Sequence, residues 1–540
     1  MKLLPIGIQT FEKIREKPGQ YLYVDKTREL YELATSGSVY FLSRPRRFGK
    51  SLLCSTIKSL FEDRKDLFEG LWIAQSDWQW EKHPIIHLSF AGITRRSTEE
   101  LRKGLIEFLR RTAHDYGISL PGGTTLTEQF IILIMSLAER NKVVIIIDEY
   151  DKPILDHITN FDVAHQMREI LKELYEVVKD LDRYLHFVFI TGVTKFAKTS
   201  IFSGINNLQD ISLSPVAATV CGFTYEELTD NFQPFIQALA EKRKLSAEET
   251  TDQLRRWYNG YSFDADGENP LVYNPFSILL ALQNKQFKNY WFESGTPTFL
   301  INLIKKNNYP IMDFQSVKIA ASQLASFEID KIKLDVLMQQ TGYLTITGYD
   351  EGSRNYSVSY PNFEVFAALS EIIIPMMTEL EPAALNDYVV WFRQALQAGD
   401  IEHFCKTLKQ FFTEIPYTIV VEDGAEKPKQ KSKQITLEKY YQTIFFVICR
   451  LLTRQVWIEQ ATNTGRIDAV LEFEQRIVIV EFKVNQSGRA ALEQIKEKKY
   501  ADSYVRGGKE ILLVGINFDS QIRNISDDWM VEKLICANPK

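Results

Sequence analysis

The feature that most constrains the fold is a strand-loop-helix pattern around Gly49-Lys50-Ser51. The apolar run Val39-Tyr40-Phe41-Leu42 predicts a strand, and residues 52–61 predict a helix. A short loop that ends in Gly-Lys-Ser at a helix start directs backbone N–H groups and the positive end of the helix dipole toward an anion. The pattern therefore predicts a phosphate-binding loop at the edge of an α/β sheet.

Each polar residue of this loop has an expected role if the anion is a nucleotide phosphate. Lys50 can reach the β- and γ-phosphates, and the Ser51 hydroxyl can ligate Mg²⁺. Arg44 stands where the usual pattern of such loops has a glycine, so the alternative is a basic turn that caps a helix. The remaining predicted nucleotide-binding residues of the loop are Arg46, Arg47 and Gly49.

A second apolar run places carboxylates at a strand end. Residues 142–150 read KVVIIIDEY, and such a run of Val and Ile indicates a strand buried on both faces. Because α/β proteins bind ligands at this sheet edge, we expect Asp148 to hold Mg²⁺ through water and Glu149 to polarise the attacking water. A solvated strand end is the alternative. The next predicted strand, 185–190, leads into Thr191, which either senses the γ-phosphate or only begins a turn.

Length and composition limit the class of protein. With 540 residues, 45% hydrophobic and 25% charged, the chain has the composition of a globular protein of several domains. Its net charge of −6 argues against a globally basic nucleic-acid coat but allows a local basic cleft. Five scattered cysteines without metal-binding spacing predict a reducing compartment. Since no apolar run approaches the ~18 residues of a membrane helix, a cytoplasmic protein is expected.

The C-terminal part follows a break in composition. Residues 421–434 are rich in Lys, Pro, Gln and Ser and have no apolar anchor after the first position, which predicts a linker. Hydrophobic periodicity beyond the linker predicts two helices and four strands. The expected order is a helix at 436–452, strands at 456–459, 466–473 and 476–483, a helix at 490–502 and a strand at 510–515.

Two neighbouring strands of this pattern carry acidic residues and a lysine. Asp468 lies on the first, whereas Glu481 and Lys483 lie two positions apart on the second and so project to one face. If the hairpin brings the carboxylates together, they can bind Mg²⁺ or Mn²⁺, and the lysine can orient water and stabilise phosphodiester charge. The alternative is a solvated face of alternating charges. Gln494 and Tyr500 lie on the helix that follows.

The motifs of both regions match known families. Residues from Leu4 to about 215 resemble the predicted AAA-ATPase-like family, and the C-terminal part resembles the PD-(D/E)XK nuclease superfamily. An arginine in the position of Arg44 belongs to the first family's pattern. The first resemblance rests on PIGIQTF (5–11), YVDKT (23–27), RPRRFGKS (44–51), IIIDEYDKP (145–153) and TGVTKF (191–196).

The resemblance implies roles for particular residues. ATP and Mg²⁺ are expected at Lys50, Ser51, Asp148 and Glu149. The YVDKT segment is a candidate neighbour of the nucleotide base. The implied nuclease-like core consists of Glu438, Asp468, Glu481 and Lys483, with Gln494 and Tyr500 in support.

The resemblance also implies a fold of class α/β. It combines a P-loop NTPase parallel sheet with helices on both faces, a mostly helical middle region and a C-terminal restriction-endonuclease-like α/β domain. The expected segments are an ATPase-like domain at 1–215, a helical lid or connector at 216–400, a connector with the linker at 401–434, and a nuclease-like domain at 435–540.

The leading functional hypothesis is an ATPase whose attached metal-dependent nuclease acts on DNA or RNA. One alternative is an ATP-driven switch or scaffold whose nuclease-like domain binds nucleic acid or protein without cleavage. Another is a degenerate nuclease fold used for docking, against which the intact Asp468, Glu481 and Lys483 argue. ATP and nucleic acid are the expected partners, and no membrane is expected. An arginine finger or its equivalent can come from Arg46, Arg47, Lys195 or Lys198, or from a neighbouring copy in a homo-oligomer.

Overall fold

The computed structural model describes most of the chain. The described residues are 2–17, 19–196, 201–202, 207–291, 317–325, 333–415, 444–445, 447–449, 451–452, 455–462, 465–473, 475–502, 504–505 and 509–534. The chain forms two compact units, one of residues 1–304 with 313–366 and the other of residues 305–312 with 367–540. The predicted linker at 421–434 and Glu438 lie outside the described residues.

A parallel sheet forms the centre of the first unit. Its strands run in the order β2-β3-β4-β1-β5, and all neighbours in the described part are parallel. Every residue of β1 and β3 is buried, as their apolar runs predicted. Because β4 lies between β1 and β3, the carboxyl ends of these three strands share one edge. The strands are β1 Val39–Ser43, β2 Ile85–Ser89, β3 Val143–Asp148, β4 Leu185–Gly192 and β5 Gln209–Asp210.

Helices connect these strands and cover both faces of the sheet. Polar side chains define several of their starts: α5 begins at a capping box, in which Thr125 and Glu128 each bond the other's backbone N–H. The helices of this part are α1 Phe11–Arg15, α2 Thr27–Ser36, α3 Lys50–Phe61, α4 Thr98–Asp115, α5 Leu126–Ala138, α6 Lys152–Leu155 and α7 Phe161–Asp180.

The rest of the first unit combines helices with a small antiparallel sheet of order β6-β8-β7, which the sequence pattern did not predict. Three apolar residues near the N-terminus, Leu4, Leu22 and Val24, pack into one core with α8, α9 and α10. The elements are α8 Tyr225–Arg243, α9 Ala247–Tyr258, α10 Pro275–Asn284, β6 Val317–Ala320, α11 Ala321–Ala325, α12 Leu334–Thr341, β7 Thr345–Asp350 and β8 Asn355–Ser359.

The second unit carries a mixed sheet. Strands β9, β10 and β11 form an antiparallel meander, and β12 lies parallel to β11 after the crossover helix α16. The boundary between the units falls within α13. The elements are α13 Phe363–Thr378, α14 Pro382–Ala398, α15 Ile401–Thr413, β9 Gln455–Thr462, β10 Gly465–Glu472, β11 Arg476–Val484, α16 Gly488–Glu497, β12 Glu510–Asp519, β13 Asn524–Ile525 and β14 Met530–Leu534.

The predicted fold class is confirmed: a parallel sheet with helices, a middle region rich in helices, and a C-terminal mixed sheet. Within the predicted helix at 436–452, the residues that the structure describes are helical. The last predicted strand continues to Asp519, and two short strands, β13 and β14, pair with it in addition. In the described ranges, no helix is long and apolar enough to cross a membrane.

A histidine pair lies at the amino-terminal ends of the parallel strands, away from the edge that the carboxyl ends of β1, β3 and β4 share. The rings of His83 and His186 stack with centroids 4.0 Å apart, and Phe61 packs against both. Burial, with a smaller contribution from His83, lowers the pKa of His186 from 6.5 to about 4. The folded protein therefore keeps His186 neutral at pH values at which the unfolded chain binds a proton.

We expect this difference to make stability fall as the pH decreases from about 6.5 toward 4, because protons then favour the unfolded chain. His186→Phe keeps the ring packing and removes the titration. Urea unfolding midpoints at pH 5 and pH 7 should differ less in this variant than in the wild type. His114→Gln, at an exposed histidine, is the control and should leave the difference unchanged. Equal pH dependence in all three proteins would contradict the assignment.

Candidate nucleotide and nuclease sites

The phosphate loop turns sharply between β1 and α3. Arg47 and Gly49 both have left-handed backbone angles, with φ of +68° and +90°. Glycine adopts this conformation without a steric cost, whereas arginine does so only when its surroundings hold it there. Gly49 is the N-cap of α3, and its helix start has no side-chain cap. The first N–H groups of α3 are therefore available to an anion.

Arg44 anchors the loop from inside the protein. Its Nη1 donates hydrogen bonds to the carbonyl oxygens of Ser43 (2.8 Å) and Ser212 (2.7 Å), and its Nη2 donates to that of Ala217 (2.6 Å). The guanidinium carbon lies 4.1 Å from the ring centroid of Phe263. Burial lowers the pKa of Arg44 to about 10. The residue in the usual glycine position thus points into the core and holds the loop against the chain after β5.

The predicted ligands of nucleotide and metal meet at the sheet edge. Ser51 Oγ donates to Asp148 Oδ2, and Thr191 Oγ1 donates to Asp148 Oδ1, both at 2.6 Å. Lys50 Nζ donates to two carbonyl oxygens of its own loop, at 2.8 and 2.9 Å. Burial lowers the pKa of Lys50, and the Asp148 carboxylate opposes that shift. Thr191 is completely buried and contacts Asp148. It is not among the residues that line the cavity beside the phosphate loop.

Glu149 combines a strained backbone with an unpaired carboxylate oxygen. Its φ is +56°, a left-handed conformation that costs a non-glycine residue roughly 1–2 kcal/mol. Glu149 lines a cavity beside the phosphate loop, and its Oε2 is buried without a hydrogen-bond partner among the described residues. Burial raises the pKa of the Glu149 carboxyl. Strain of this kind is typical of functional positions.

A cavity of about 410 Å³ adjoins these residues, within the size range of small-molecule sites. One wall comes from the N-terminal part, including Tyr23, Val24 and Lys26 of the YVDKT motif. Phe223 and Phe276 also line the cavity. Arg46, Arg47, Gly49, Lys50 and Ser51 of the phosphate loop line it as well, so the cavity has both basic and apolar lining residues.

Sequence reasoning missed two contacts that join cavity-lining residues to α8 and α10. Lys26 Nζ lies 2.5 Å from Glu227 Oε1, and this ion pair joins the N-terminal wall to α8. The guanidinium of Arg47 lies 4.7 Å from the ring of Phe276. Glu227 follows Lys26 by 201 positions. No local pattern can indicate a contact over such a separation.

The donor chemistry at the sheet edge fits Mg²⁺. A hydroxyl and a carboxylate, Ser51 and Asp148, are oxygen ligands of the kind that this ion prefers. Their mutual hydrogen bond shows that both groups reach the same point. The unpaired Oε2 of Glu149 is a further polar group at the same cavity.

The second candidate site lies on the hairpin of β10 and β11. Ala469 pairs with Val480, so Asp468 stands opposite Glu481. Asp468 Oδ2 accepts a hydrogen bond of 2.7 Å from the backbone N–H of Phe482. Glu481 is only 2% exposed, and its Oε2 is buried without a hydrogen-bond partner in the part that the structure describes.

Electrostatics at this site favour the entry of a cation. Burial first, and then the neighbouring Asp468, raises the pKa of Glu481 to about 7. A buried carboxylate oxygen without a partner is costly, and a bound cation would compensate that cost. Carboxylates of this kind fit Mg²⁺ or Mn²⁺.

Lys483 and Gln494 complete the polar cluster. Lys483 Nζ lies 3.4 Å from Glu481 Oε1 and donates to Gln494 Oε1. Gln494 Nε2 in turn donates to Glu481 Oε1. Tyr500 is placed differently: it packs in the apolar core with Ile479 and its neighbours. This packing holds the polypeptide beyond α16 in position.

A glycine contact brings α16 close to the sheet. Gly515 of β12 pairs in register with Glu481, and a Cβ at Gly515 would lie 2.1 Å from the carbonyl oxygen of Gly488. Because neither residue has a side chain, the start of α16 lies directly against β12. This close approach lets Gln494, further along α16, reach Glu481.

The described residues supply part of the predicted nuclease metal site. In the ranges given above, no group of three His, Cys, Asp or Glu side chains is placed to hold a metal ion. Asp468 and Glu481 are together, whereas the third expected carboxylate, Glu438, lies outside those ranges.

Fold and sites define a P-loop NTPase domain and a PD-(D/E)XK-type domain on one chain. The family model described as "Predicted AAA-ATPase" matches residues 5–202, and the model of the "PD-(D/E)XK nuclease superfamily" matches residues 436–528. A protein of Azotobacter chroococcum mcd 1, described as "Uncharacterized protein in vnfD 5'region", is 36% identical over 540 residues, 99% of each chain. The chain therefore belongs to the predicted AAA-ATPase family, in the form that carries a PD-(D/E)XK domain, which confirms the resemblance seen in the sequence.

The glycine contact of α16 can be tested by Gly515→Ala. The added methyl group meets backbone atoms, so the helix must move from the sheet, and we expect a loss of about 1–3 kcal/mol in the stability of the second unit. Urea unfolding followed by circular dichroism measures the change. Gly348→Ala, in β7 with open space around the glycine, is the control. Equal midpoints for the two variants would show that the contact does not constrain α16.

Proposed function

We propose that this protein is a Mg²⁺-dependent ATPase whose C-terminal domain is a metal-dependent nuclease acting on DNA or RNA. The observation that supports the ATPase most directly is the hydrogen bond between Asp148 and Ser51, which lines the cavity together with Lys50 and Glu149. For the nuclease it is the pairing of Asp468 with a buried, partly unsatisfied Glu481.

In the proposed ATPase reaction, the N–H groups at the start of α3 bind the phosphates. Lys50 gives up its hydrogen bonds to two carbonyl oxygens and binds phosphate oxygens instead. This exchange is favourable because its buried ammonium group lacks a full charge partner and a phosphate supplies one. Bound Mg²⁺ supplies charge neutralisation at the phosphate oxygens. Glu149 orients the attacking water through its free Oε2, and its raised pKa makes it a better proton acceptor than an exposed glutamate.

In the proposed nuclease reaction, Asp468 and Glu481 would hold the metal ion, which would supply Lewis-acid activation of the phosphodiester when bound. Lys483 stabilises the negative charge that develops on the phosphate. Gln494 contacts both Lys483 and Glu481 and so fixes their relative position. Glu438 is the proposed third carboxylate ligand of the metal ion.

Partners, compartment and domain limits are part of the same proposal. ATP, DNA or RNA, and a second copy of the chain in a homo-oligomer are the proposed partners. A reducing, cytoplasmic compartment is supported by four buried free thiols, Cys54, Cys221, Cys405 and Cys449. The proposed domain segments are 1–215, 216–400, 401–434 and 435–540.

The ATPase is tested by Lys50→Ala and Glu149→Gln. We expect Lys50→Ala to lower ATP hydrolysis by about 100-fold or more, because a positioned charge on the phosphates is lost. Glu149→Gln should still bind ATP but hydrolyse it much more slowly. Phosphate release measures the rate, and fluorescent ATP measures binding. Lys58→Ala, on the outer side of the same helix, is the control, and an unchanged rate in Lys50→Ala would refute the ATPase.

The nuclease is tested on single- and double-stranded DNA and RNA with Mg²⁺ or Mn²⁺, with and without ATP. Asp468→Asn and Glu481→Gln should each lose about 100-fold or more in cleavage, since each removes a metal ligand. Glu532→Gln, at a surface ion pair of the same domain, is the control. Cleavage that persists in both site variants would contradict the assignment. No cleavage by wild-type protein that hydrolyses ATP would favour the switch or scaffold.

A further inference from the structure

Glu364 is a fully buried carboxylate that neither proposed reaction uses. It is 0% exposed, and both of its oxygens accept hydrogen bonds from protein groups, including the backbone of Tyr290. Oε2 accepts from Ser277 Oγ at 2.7 Å, and Oε1 accepts from the backbone N–H of Trp291 at 2.8 Å. Burial raises the pKa of Glu364 to about 7. The titratable neighbours are the phenols of Tyr258 and Tyr261.

Both partners of Glu364 belong to segments that contact the nucleotide cavity. Ser277 lies in the first turn of α10, next to Phe276, which lines the cavity. The indole Nε1 of Trp291 donates a hydrogen bond of 3.0 Å to the carbonyl oxygen of Arg46 in the phosphate loop. A single carboxyl group therefore links the α10 wall of the cavity to the loop.

The loop has little room to move away from Trp291. A Cβ placed at Gly342 would lie 2.7 Å from Pro45 Cβ and 3.5 Å from the Trp291 ring. The ring of Trp291 also packs on Tyr343, with centroids 5.0 Å apart. Pro45, Gly342 and Trp291 thus form one close contact, and a shift of the tryptophan must be transmitted to the loop.

Helix capping does not account for Glu364. The start of α10 is already capped by Asn274, whose Oδ1 accepts hydrogen bonds from the N–H groups of Phe276 (3.0 Å) and Ser277 (3.2 Å). Burial of a carboxyl group is expensive, and an apolar residue would fill the same space at a lower cost. What Glu364 adds is two directed bonds to two separate segments.

We infer that Glu364 is a positioning residue for nucleotide binding, which sets the distance between the α10 wall and the phosphate loop. This inference rests on the proposed ATPase function. The geometry is the same for both protonation states, because the Ser277 hydroxyl donates to the carboxylate and accepts from the carboxylic acid. A glutamine can likewise accept from Trp291 and donate to Ser277.

The test compares Glu364→Leu, which loses both bonds, with Glu364→Gln, which retains them. Ser277→Ala and Trp291→Phe each remove one bond of the link. The measured quantities are the dissociation constant of fluorescent ATP with Mg²⁺, kcat and KM for hydrolysis, and the thermal midpoint. We expect Glu364→Leu to weaken ATP binding about tenfold or more, and the single-bond variants several-fold, with kcat within about twofold. Glu364→Gln should bind as the wild type does.

Unchanged affinity in Glu364→Leu and Trp291→Phe would overturn the inference, as would Glu364→Gln binding as weakly as Glu364→Leu. If Glu364→Leu does not fold, Ser277→Ala and Trp291→Phe decide, since both leave the carboxyl in place. ATP binding by the wild type and by Lys50→Ala distinguishes a failure of the proposed ATPase function from a failure of the positioning role of Glu364. Failure of the wild type to bind ATP refutes the proposed function. Binding that weakens in Lys50→Ala but in none of the link variants refutes the positioning role alone.

Discussion

The candidate nucleotide site depends on the buried guanidinium of Arg44, which anchors the phosphate loop from inside the protein. Arg44 carries its guanidinium into the interior of the first unit, where an unpaired charge would be very costly. Three backbone carbonyls and the ring of Phe263 receive it, so the first residue of the loop is fixed to the chain beyond β5. With that end held, Lys50 and Ser51 at the other end meet the strand ends in a defined geometry. A glycine in this position would leave the loop without that anchor.

Three buried glutamates differ in whether protein groups satisfy both of their carboxylate oxygens. Glu149 and Glu481 each keep one oxygen without a hydrogen-bond partner among the described residues, and burial raises the pKa of both. Such groups are more stable with a ligand than without one, because a bound cation or water satisfies the free oxygen. Glu364 differs, since both of its oxygens are bonded to protein. The two bonded oxygens of Glu364 position its neighbours, whereas the open oxygens of Glu149 and Glu481 are ready to bind.

Much of each site was predictable because its residues follow strands. Asp148 ends β3, and Lys50 begins the helix that follows β1; parallel strands bring their carboxyl ends to one edge. Asp468 and Glu481 flank a short hairpin, which placed them opposite one another. The acceptors of Arg44 were not predictable, because Ser212 follows it by 168 positions. The same holds for the small antiparallel sheet of the middle region, whose strands lack a long hydrophobic run.

By itself the sequence determined the two domain types and the identity of their polar residues, because strand ends, loops and helix starts are local patterns of a few residues. Only the tertiary structure decided what holds those residues in place. The inward turn of Arg44, the contact of Gly515 with Gly488 and the link through Glu364 all join segments far apart in the chain. Such contacts arise from close packing of the whole unit, which short-range periodicity does not encode.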